Sequence, residues 1–245
     1  MIEGYAVATV REVEDRVRSR LPEGELMQRA ARGLAVEVRA LAGQLGARSV
    51  LVLAGPGDNG GDALWAAALL AGHGDGAAPG AGPGPRSVPA VAVLGIASRL
   101  HPQGLEAALA AGCPVTLVDP AAGRLEPQAL ELLASADLVV DGLLGIGGRP
   151  GLRGAMAAAA HALTAGPDRP VVLAVDLPSG TDPAGEEAVE DVLPADVTVT
   201  FGVAKPVHLL PTTARAVGRL RIVDIGLGQD LAAERPGVER LETGD

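Results

Sequence analysis

The chain has 245 residues, 48% apolar but only 1% aromatic, so Val, Leu, Ile and Ala must fill the core of one large α/β domain or two small ones. A formal net charge of −10 leaves no basic surface to neutralise phosphate backbones, which excludes a nucleic-acid partner. Cys113 is the one cysteine, so no internal disulfide can form and a reducing, cytoplasmic setting is expected; the start, MIEGYAVATV, is not a signal peptide, and no apolar run suggests a membrane span.

In chain order, Val10, Val13 and Val17 recur at helical spacing over 9–20, and a longer amphipathic helix is predicted over 25–46, stopped by Gly46. A strand at 49–55, SVLVLAG, leads into the loop GPGDNGG and then an alanine-rich helix starting DALWAAALLA. Residues 75–86, DGAAPGAGPGPR, have no core pattern and read as a flexible loop inside one domain. Strands follow at 89–95, 114–119, 137–145, 170–178, 197–202 and 219–227, with helices at 102–112, 128–136 and 155–165 among them. Residues 229–245 read as a polar tail. Near-continuous apolar strands alternating with helices predict a mostly parallel sheet of about seven or eight strands, covered on both faces and preceded by two helices.

Three strands end in turns rich in acids and glycine: GPGDNGGD with Asp58, Asn59 and Asp62; VVDGLLGIGGRPG with Asp141; and AVDLPSGTDP with Asp176 and Ser179. Ligands of open α/β sheets bind outside the carboxyl ends of the strands at a topological switch point, so these residues are expected in one crevice. Glycines let the backbone approach a ligand, and a helix start offers free N–H groups to an anion. An oxygen-only set without Cys or His suits a hard, weakly held cation.

Other readings stand beside these. GPGDNG also fits a generic dinucleotide loop, although the acid expected about 20 residues on would fall in the Gly/Pro segment. Asp62 is a candidate helix N-cap and Asp137 a turn residue. Cys113 and Trp65 read as core residues, and His73, His101 and His161 as solvated or capping ones. Arg149 and Arg153 are solvated or pair with phosphate. Lys205 is the single lysine, without an assigned role.

Taken together, LMQRAARGLA, GPGDNGGDA, VVDGLLGIGGRPGLRG, VVLAVDLPSGTDP, VTVTFGVAKPVHLLP and IVDIGLG resemble the NAD(P)H-hydrate epimerase family, in order and spacing, from about residue 9 to 228. The resemblance implies a Rossmann-like three-layer α/β/α fold and a homodimer. It implies interconversion of the R and S epimers of NADHX and NADPHX, in concert with an ATP- or ADP-dependent dehydratase, fused or separate. By position, the family's hydrate-binding stretch falls on Asp58, Asn59, Gly60, Gly61 and Asp62. Its second hydrate loop falls on Gly145, Ile146, Gly147, Gly148, Arg149, Pro150 and Gly151, with a further contact at Asp176. Its potassium ligands fall on Asn59, Asp141 and Ser179. The sequence departs from the family at Asp58, where Asn is usual, at Ala63, where Gly is usual, and in GIGGRPG, where Arg149 stands for a lysine and cannot deprotonate.

Such epimerisation expels hydroxide from the ring carbon beside the ring nitrogen and returns water to the other face, which requires acid and base work by a carboxyl group. Asp141 is expected in that role, or to position the reaction through the cation, with Asp176 as second candidate. The competing expectation is a non-catalytic nucleotide-binding or dimerisation module of the same fold.

Overall fold

The computed structural model describes residues 1–72 and 89–240; His73, the segment expected as a flexible loop at 75–86, and residues 241–245 lie outside the described residues. In chain order the elements are β1 (Ile2–Gly4), α1 (Val7–Arg18), α2 (Glu25–Leu45), β2 (Ser49–Ala54), α3 (Asp58–Ala71), β3 (Ala90–Ile96), α4 (Pro102–Ala110), β4 (Val115–Val118), α5 (Pro127–Ser135) and β5 (Leu138–Gly142). There follow α6 (Gly154–Thr164), β6 (Val171–Val175), β7 (Val197–Phe201), α7 (Pro206–Leu209), α8 (Pro211–Val217), β8 (Arg219–Val223), α9 (Gly228–Leu231) and β9 (Val238–Arg240).

The seven strands predicted from apolar runs, β2 to β8, form one parallel sheet in the order β4-β3-β2-β5-β6-β7-β8. Because β2 carries both faces, its side chains sort by parity. Val50, Val52 and Ala54 pack into one cluster with Val10, Leu34 and Leu64 of α1, α2 and α3. Leu51 and Leu53 pack into a second with Leu133 and Ala159 of α5 and α6. Helices therefore cover both faces, giving the expected α/β/α layering. The chain runs outward from β2 through β3 to β4, then returns to place β5 on the other side of β2. That reversal is the topological switch point, and it opens a crevice at the carboxyl ends of β2 and β5.

Local chemistry explains several boundaries. Gly46 ends α2 in the left-handed region, φ 63°, its N–H returning to the Ala42 carbonyl. His101 caps α4, its Nδ1 accepting the Gly104 N–H at 3.1 Å. Asp137 is more than a turn residue. It accepts the Arg48 and Ser49 N–H groups at 2.8 and 2.9 Å and ties the starts of β2 and β5 together; those hydrogen bonds hold its carboxyl below the usual range.

Four expectations need correction. The stretch DNGG is not loop: α3 starts at Asp58, with Gly57 as its N-cap residue, so Asp62 lies inside the helix and caps nothing. Trp65 is half-buried rather than core, since it sits where α3 meets α4 beside Glu106. Residues 229–240, read as polar tail, include most of α9, and β9, which pairs antiparallel with an unforeseen β1. The segment 206–217 forms α7 and α8, each opened by proline. These are short pieces whose stability comes from packing rather than pattern.

Candidate active site

Three strand ends and two helices build the crevice. Gly55 closes β2, and a Cβ there would lie 1.8 Å from the Leu143 carbonyl oxygen. One at Gly60 would lie 2.1 Å from the Gly55 oxygen, and one at Gly142 2.4 Å from Ala63 Cβ. These glycines bring the two loops and the start of α3 into backbone contact. The first turn of α3 then points N–H groups without intrahelical acceptors into the crevice. Asn59 is buried there, and its Nδ2 has no hydrogen-bond partner; Asp62, one turn on, has an unpartnered buried Oδ1.

Asp141 is fully buried at the end of β5. Its Oδ1 accepts the Ser179 hydroxyl at 2.6 Å and the Leu143 N–H at 3.2 Å, and its Oδ2 accepts the Ser179 N–H at 2.9 Å. Burial pushes its carboxyl up to about 6, although the Ser179 and Leu143 hydrogen bonds pull it down. Every donor to it is neutral. Ser179 Oγ also accepts the Leu144 N–H at 2.9 Å and lies 3.2 Å from the Leu144 carbonyl oxygen.

Asp176 follows β6 with φ 67°, the one positive φ among described non-glycine residues. Such a backbone costs about 1–3 kcal/mol and persists only where its surroundings impose it. Here its N–H donates to the Val199 carbonyl at 2.7 Å, and His208 Nε2 lies 2.8 Å from its carbonyl oxygen. His208 Nδ1 accepts the Lys205 N–H at 3.0 Å, so Nε2 carries the proton. Burial and the Lys205 charge push the His208 pKa down to about 4, keeping the ring neutral.

The Asp176 side chain meets Lys205, 1% exposed, with Nζ 2.7 Å from Oδ1 and 2.7 Å from Thr200 Oγ1. Thr200 Oγ1 is itself 3.0 Å from the same Oδ1. Burial would raise this carboxyl, but the Lys205 ammonium outweighs it with help from His208 and Thr200, and the net shift is downward. Oδ2 receives only the Ile146 N–H, at 3.4 Å, and so keeps room for another partner.

Asp62 goes the other way. Burial and the neighbouring carboxylates of Asp176, Asp58 and Glu14 raise it well above its ordinary value, only partly offset by Lys205. Glu14 of α1 is raised too, by burial first, with Lys205 opposing. Two carboxyls that share an environment are thus pushed apart, Asp176 down and Asp62 up.

The loop after β5 turns at Gly145, whose carbonyl accepts the Gly148 N–H at 2.8 Å. Gly145 packs on Asn59, which is 3.0 Å from where a Cβ would stand. Ile146 and Gly147 form the tip; Gly151 has φ 81° and donates to the Gly180 carbonyl at 2.8 Å. Arg149 is exposed and Pro150 half-buried beside it.

Asn59, Gly60, Asp62, Asp141, Asp176 and Ser179 therefore line or underlie one crevice, with Gly145 and Ile146 against it. Gly61 is turned away, toward the His101 ring. Asp58 is exposed at the rim. Sequence reasoning missed Glu14 and Arg11 of α1, and the roles of Lys205, Thr200 and His208. A single lysine three residues before a histidine was a usable signal; the helix α1 pair had none.

Comparisons with known proteins agree with this geometry. Residues 23–207 match the family described as YjeF-related protein N-terminus. The chain is 42% identical over 225 residues to an NAD(P)H-hydrate epimerase of Microbacterium testaceum, covering 89% of this chain and 77% of that one. It is 41% identical over 243 residues to an NAD(P)H-hydrate epimerase of Clavibacter michiganensis, covering 96% and 94%. It is also 41% identical over 232 residues to a bifunctional NAD(P)H-hydrate repair enzyme of Mycobacterium tuberculosis, of which it spans 42%. A crystal structure of a yeast protein superposes with a TM-score of 0.66 at 20% identity, over 84% of this chain and 82% of that one, which supports the fold alone. No helix among the described residues is long and apolar enough to cross a membrane.

Proposed function

The chain belongs to the family of the YjeF-related protein N-terminus, and from that premise we propose that it is an NAD(P)H-hydrate epimerase, interconverting the R and S epimers of NADHX and NADPHX in cofactor repair. The observation that carries the reading is the 41–42% identity to relatives of that name over nearly the whole chain. The relatives joined to a second activity support pairing with a dehydratase, fused or separate. A cytoplasmic homodimer completes the proposal.

In the substrate the hydroxyl sits on the carbon bonded to the ring nitrogen. The nitrogen lone pair expels it as the oxygen is protonated, leaving an iminium ion and water. Water then adds to the opposite face and gives up a proton, so the overall atom balance is unchanged. The opposed carboxyls suit these two demands. Asp62, pushed toward its protonated form by burial and its acidic neighbours, donates to the leaving oxygen. Asp176, held ionised by Lys205, accepts the proton of the incoming water on Oδ2. The reverse direction exchanges the roles, and exchange with solvent water returns the proton from Asp176 to Asp62 before the next turnover. The N–H groups at the start of α3 and in the 145–151 loop hold the diphosphate.

The donor set fits a potassium ion. Asp141 is a buried carboxylate with only neutral donors around it, Asn59 is a buried amide whose Oδ1 is the end that could face a cation, its unpartnered Nδ2 being a donor, and the Ser179 hydroxyl and Leu144 carbonyl add oxygens beside them. Asn59, Asp141 and Ser179 would hold the ion, which when bound supplies the positive charge this carboxylate lacks. Asp141, fully buried, acts through that support, and Asp176 at the crevice wall does the proton work.

The test is chromatography of purified R-NADHX incubated with the protein, in potassium and in sodium buffers. Rapid appearance of the S epimer, lost with Asp176→Asn and Asp141→Ala, is expected. Conversion at the spontaneous rate in both buffers would sink the enzyme and leave a binding module.

A further inference from the structure

Helix α1 lies over the crevice with Val10, Val13 and Val17 buried beneath it. Arg11 is carried from that helix to the loop after β5, where its Nη2 donates to the Ile146 carbonyl at 3.1 Å. A Cβ built on Gly147 would lie 3.5 Å from the same nitrogen, so the guanidinium runs along the backbone at the tip of the turn. Ile146 is also the residue whose N–H faces Asp176 Oδ2 at 3.4 Å. Arg11 is thus linked through one residue, Ile146, to the carboxylate assigned to the proton transfer.

The charge at that place is uncommitted. Arg16, Arg18, Arg20, Arg29, Arg32 and Arg169 each pair with a carboxylate, whereas among the described residues Arg11 pairs with none. Lys205 is spent on Asp176. Arg149 is exposed, without a contact that fixes it. Around the crevice the remaining charges are acidic, those of Asp58 and Asp176, with Glu14 and Asp62 raised toward their neutral forms. An anionic dinucleotide entering such a site meets repulsion unless a cation is fixed at the loop that receives it. Arg11 has four guanidinium N–H groups left over and the planar fork that matches a phosphate.

We infer that Arg11 binds the substrate phosphate attached to the nicotinamide ribose, holding it at the Ile146–Gly147 turn while the ring lies against Asp176. The inference rests on the epimerase reading for the identity of the ligand, and the geometry selects the nearer phosphate because one residue, Ile146, joins Arg11 to Asp176.

The experiment measures binding and turnover separately. Calorimetry compares reduced nicotinamide mononucleotide with reduced nicotinamide riboside, on the wild type, Arg11→Gln and Arg11→Lys. Arg11→Gln keeps an N–H donor for the loop and removes the charge. The mononucleotide is expected to bind the wild type better than the riboside, with Arg11→Gln weakening it about 10- to 100-fold. Riboside affinity should stay within about twofold, and Arg11→Lys should recover part of the loss. An equal loss for both ligands would make Arg11 a prop for the loop and overturn the inference, as would no loss, or a wild type indifferent to the phosphate. Turnover of R-NADHX by the wild type is read beside this: its absence counts against the epimerase, while the ratio of the two affinities still decides Arg11.

Discussion

Replacing Asp141 by Asn removes a buried charge while keeping the side-chain shape, and the consequence depends on pH in a defined direction. The carboxyl is raised from 3.8 to about 6 because it is fully buried among neutral donors. Well below pH 3.8 it is protonated in both folded and unfolded chains and contributes nothing. Between pH 3.8 and about 6 the unfolded chain releases a proton that the native state retains, so stability falls as pH rises. Above about 6 the loss is complete, amounting to about 3 kcal/mol at about 1.4 kcal/mol per pKa unit. Asp62, Glu14 and His208 titrate in both proteins and largely cancel in the difference. The stability of Asp141→Asn relative to wild type should therefore climb by about 2–2.5 kcal/mol from pH 4 to pH 7 in a choline buffer, read from urea midpoints at each pH. The starting value at pH 4 is set by the Asn amide, which must face one of the N–H donors. If Asn59, Asp141 and Ser179 hold potassium as proposed, the ion stabilises the ionised form and should flatten the climb. A difference that does not change with pH would refute the buried-charge account.

Other changes test the second half of the site and its scaffold. Lys205→Met leaves the Asp176 carboxylate buried without its cation and should cost about 3–5 kcal/mol; adding Asp176→Asn should recover most of it, and a single-variant loss below about 1 kcal/mol by urea unfolding would contradict the ion pair. His208, lowered to about 4 from 6.5, should show a neutral ring with the proton on Nε2 in NMR titrations down to about pH 4. Its depressed pKa makes stability fall, by about 3 kcal/mol, as pH drops from 6.5 through 4; a midpoint near 6.5 would show the ring is not buried as described. Gly60→Ala places a methyl 2.1 Å from the Gly55 oxygen and should destabilise by about 1–3 kcal/mol. Gly43→Ala, in α2 with open space around it, should instead stabilise by about 0.5–1 kcal/mol; equal thermal shifts for the two would deny the close packing of the switch point.

The sheet was legible because its inner strands must satisfy two buried faces at once, and SVLVLA or VVLAV can do little else in water. The strand-end residues were legible for a related reason: an acid or amide directly after such a run is carried to the sheet's carboxyl edge whatever the neighbours do. What could not be read was how one element bears on another. DNGGD reads as loop because two glycines weaken a helix, yet the Gly60 and Gly55 backbones meet so closely that only glycine fits, and packing overrides propensity. Arg11 and Glu14 sit three apart on a helix whose buried valines were predicted, and nothing in the spacing says which wall that helix leans on. The same holds for the split between Asp62 and Asp176. Asp62 lies in the helix that follows β2 and Asp176 directly follows β6, and each alone would be pushed up by burial. Lys205, 29 residues beyond Asp176 in the chain, closes to 2.7 Å on it, and the ammonium it brings lowers that carboxyl while the other stays raised. The split between the two carboxyls is therefore set by a tertiary contact between the end of β6 and the turn before α7, beside the positive φ of Asp176. A change that relaxes that turn should collapse the difference between the two carboxyls even with every titratable residue still in place.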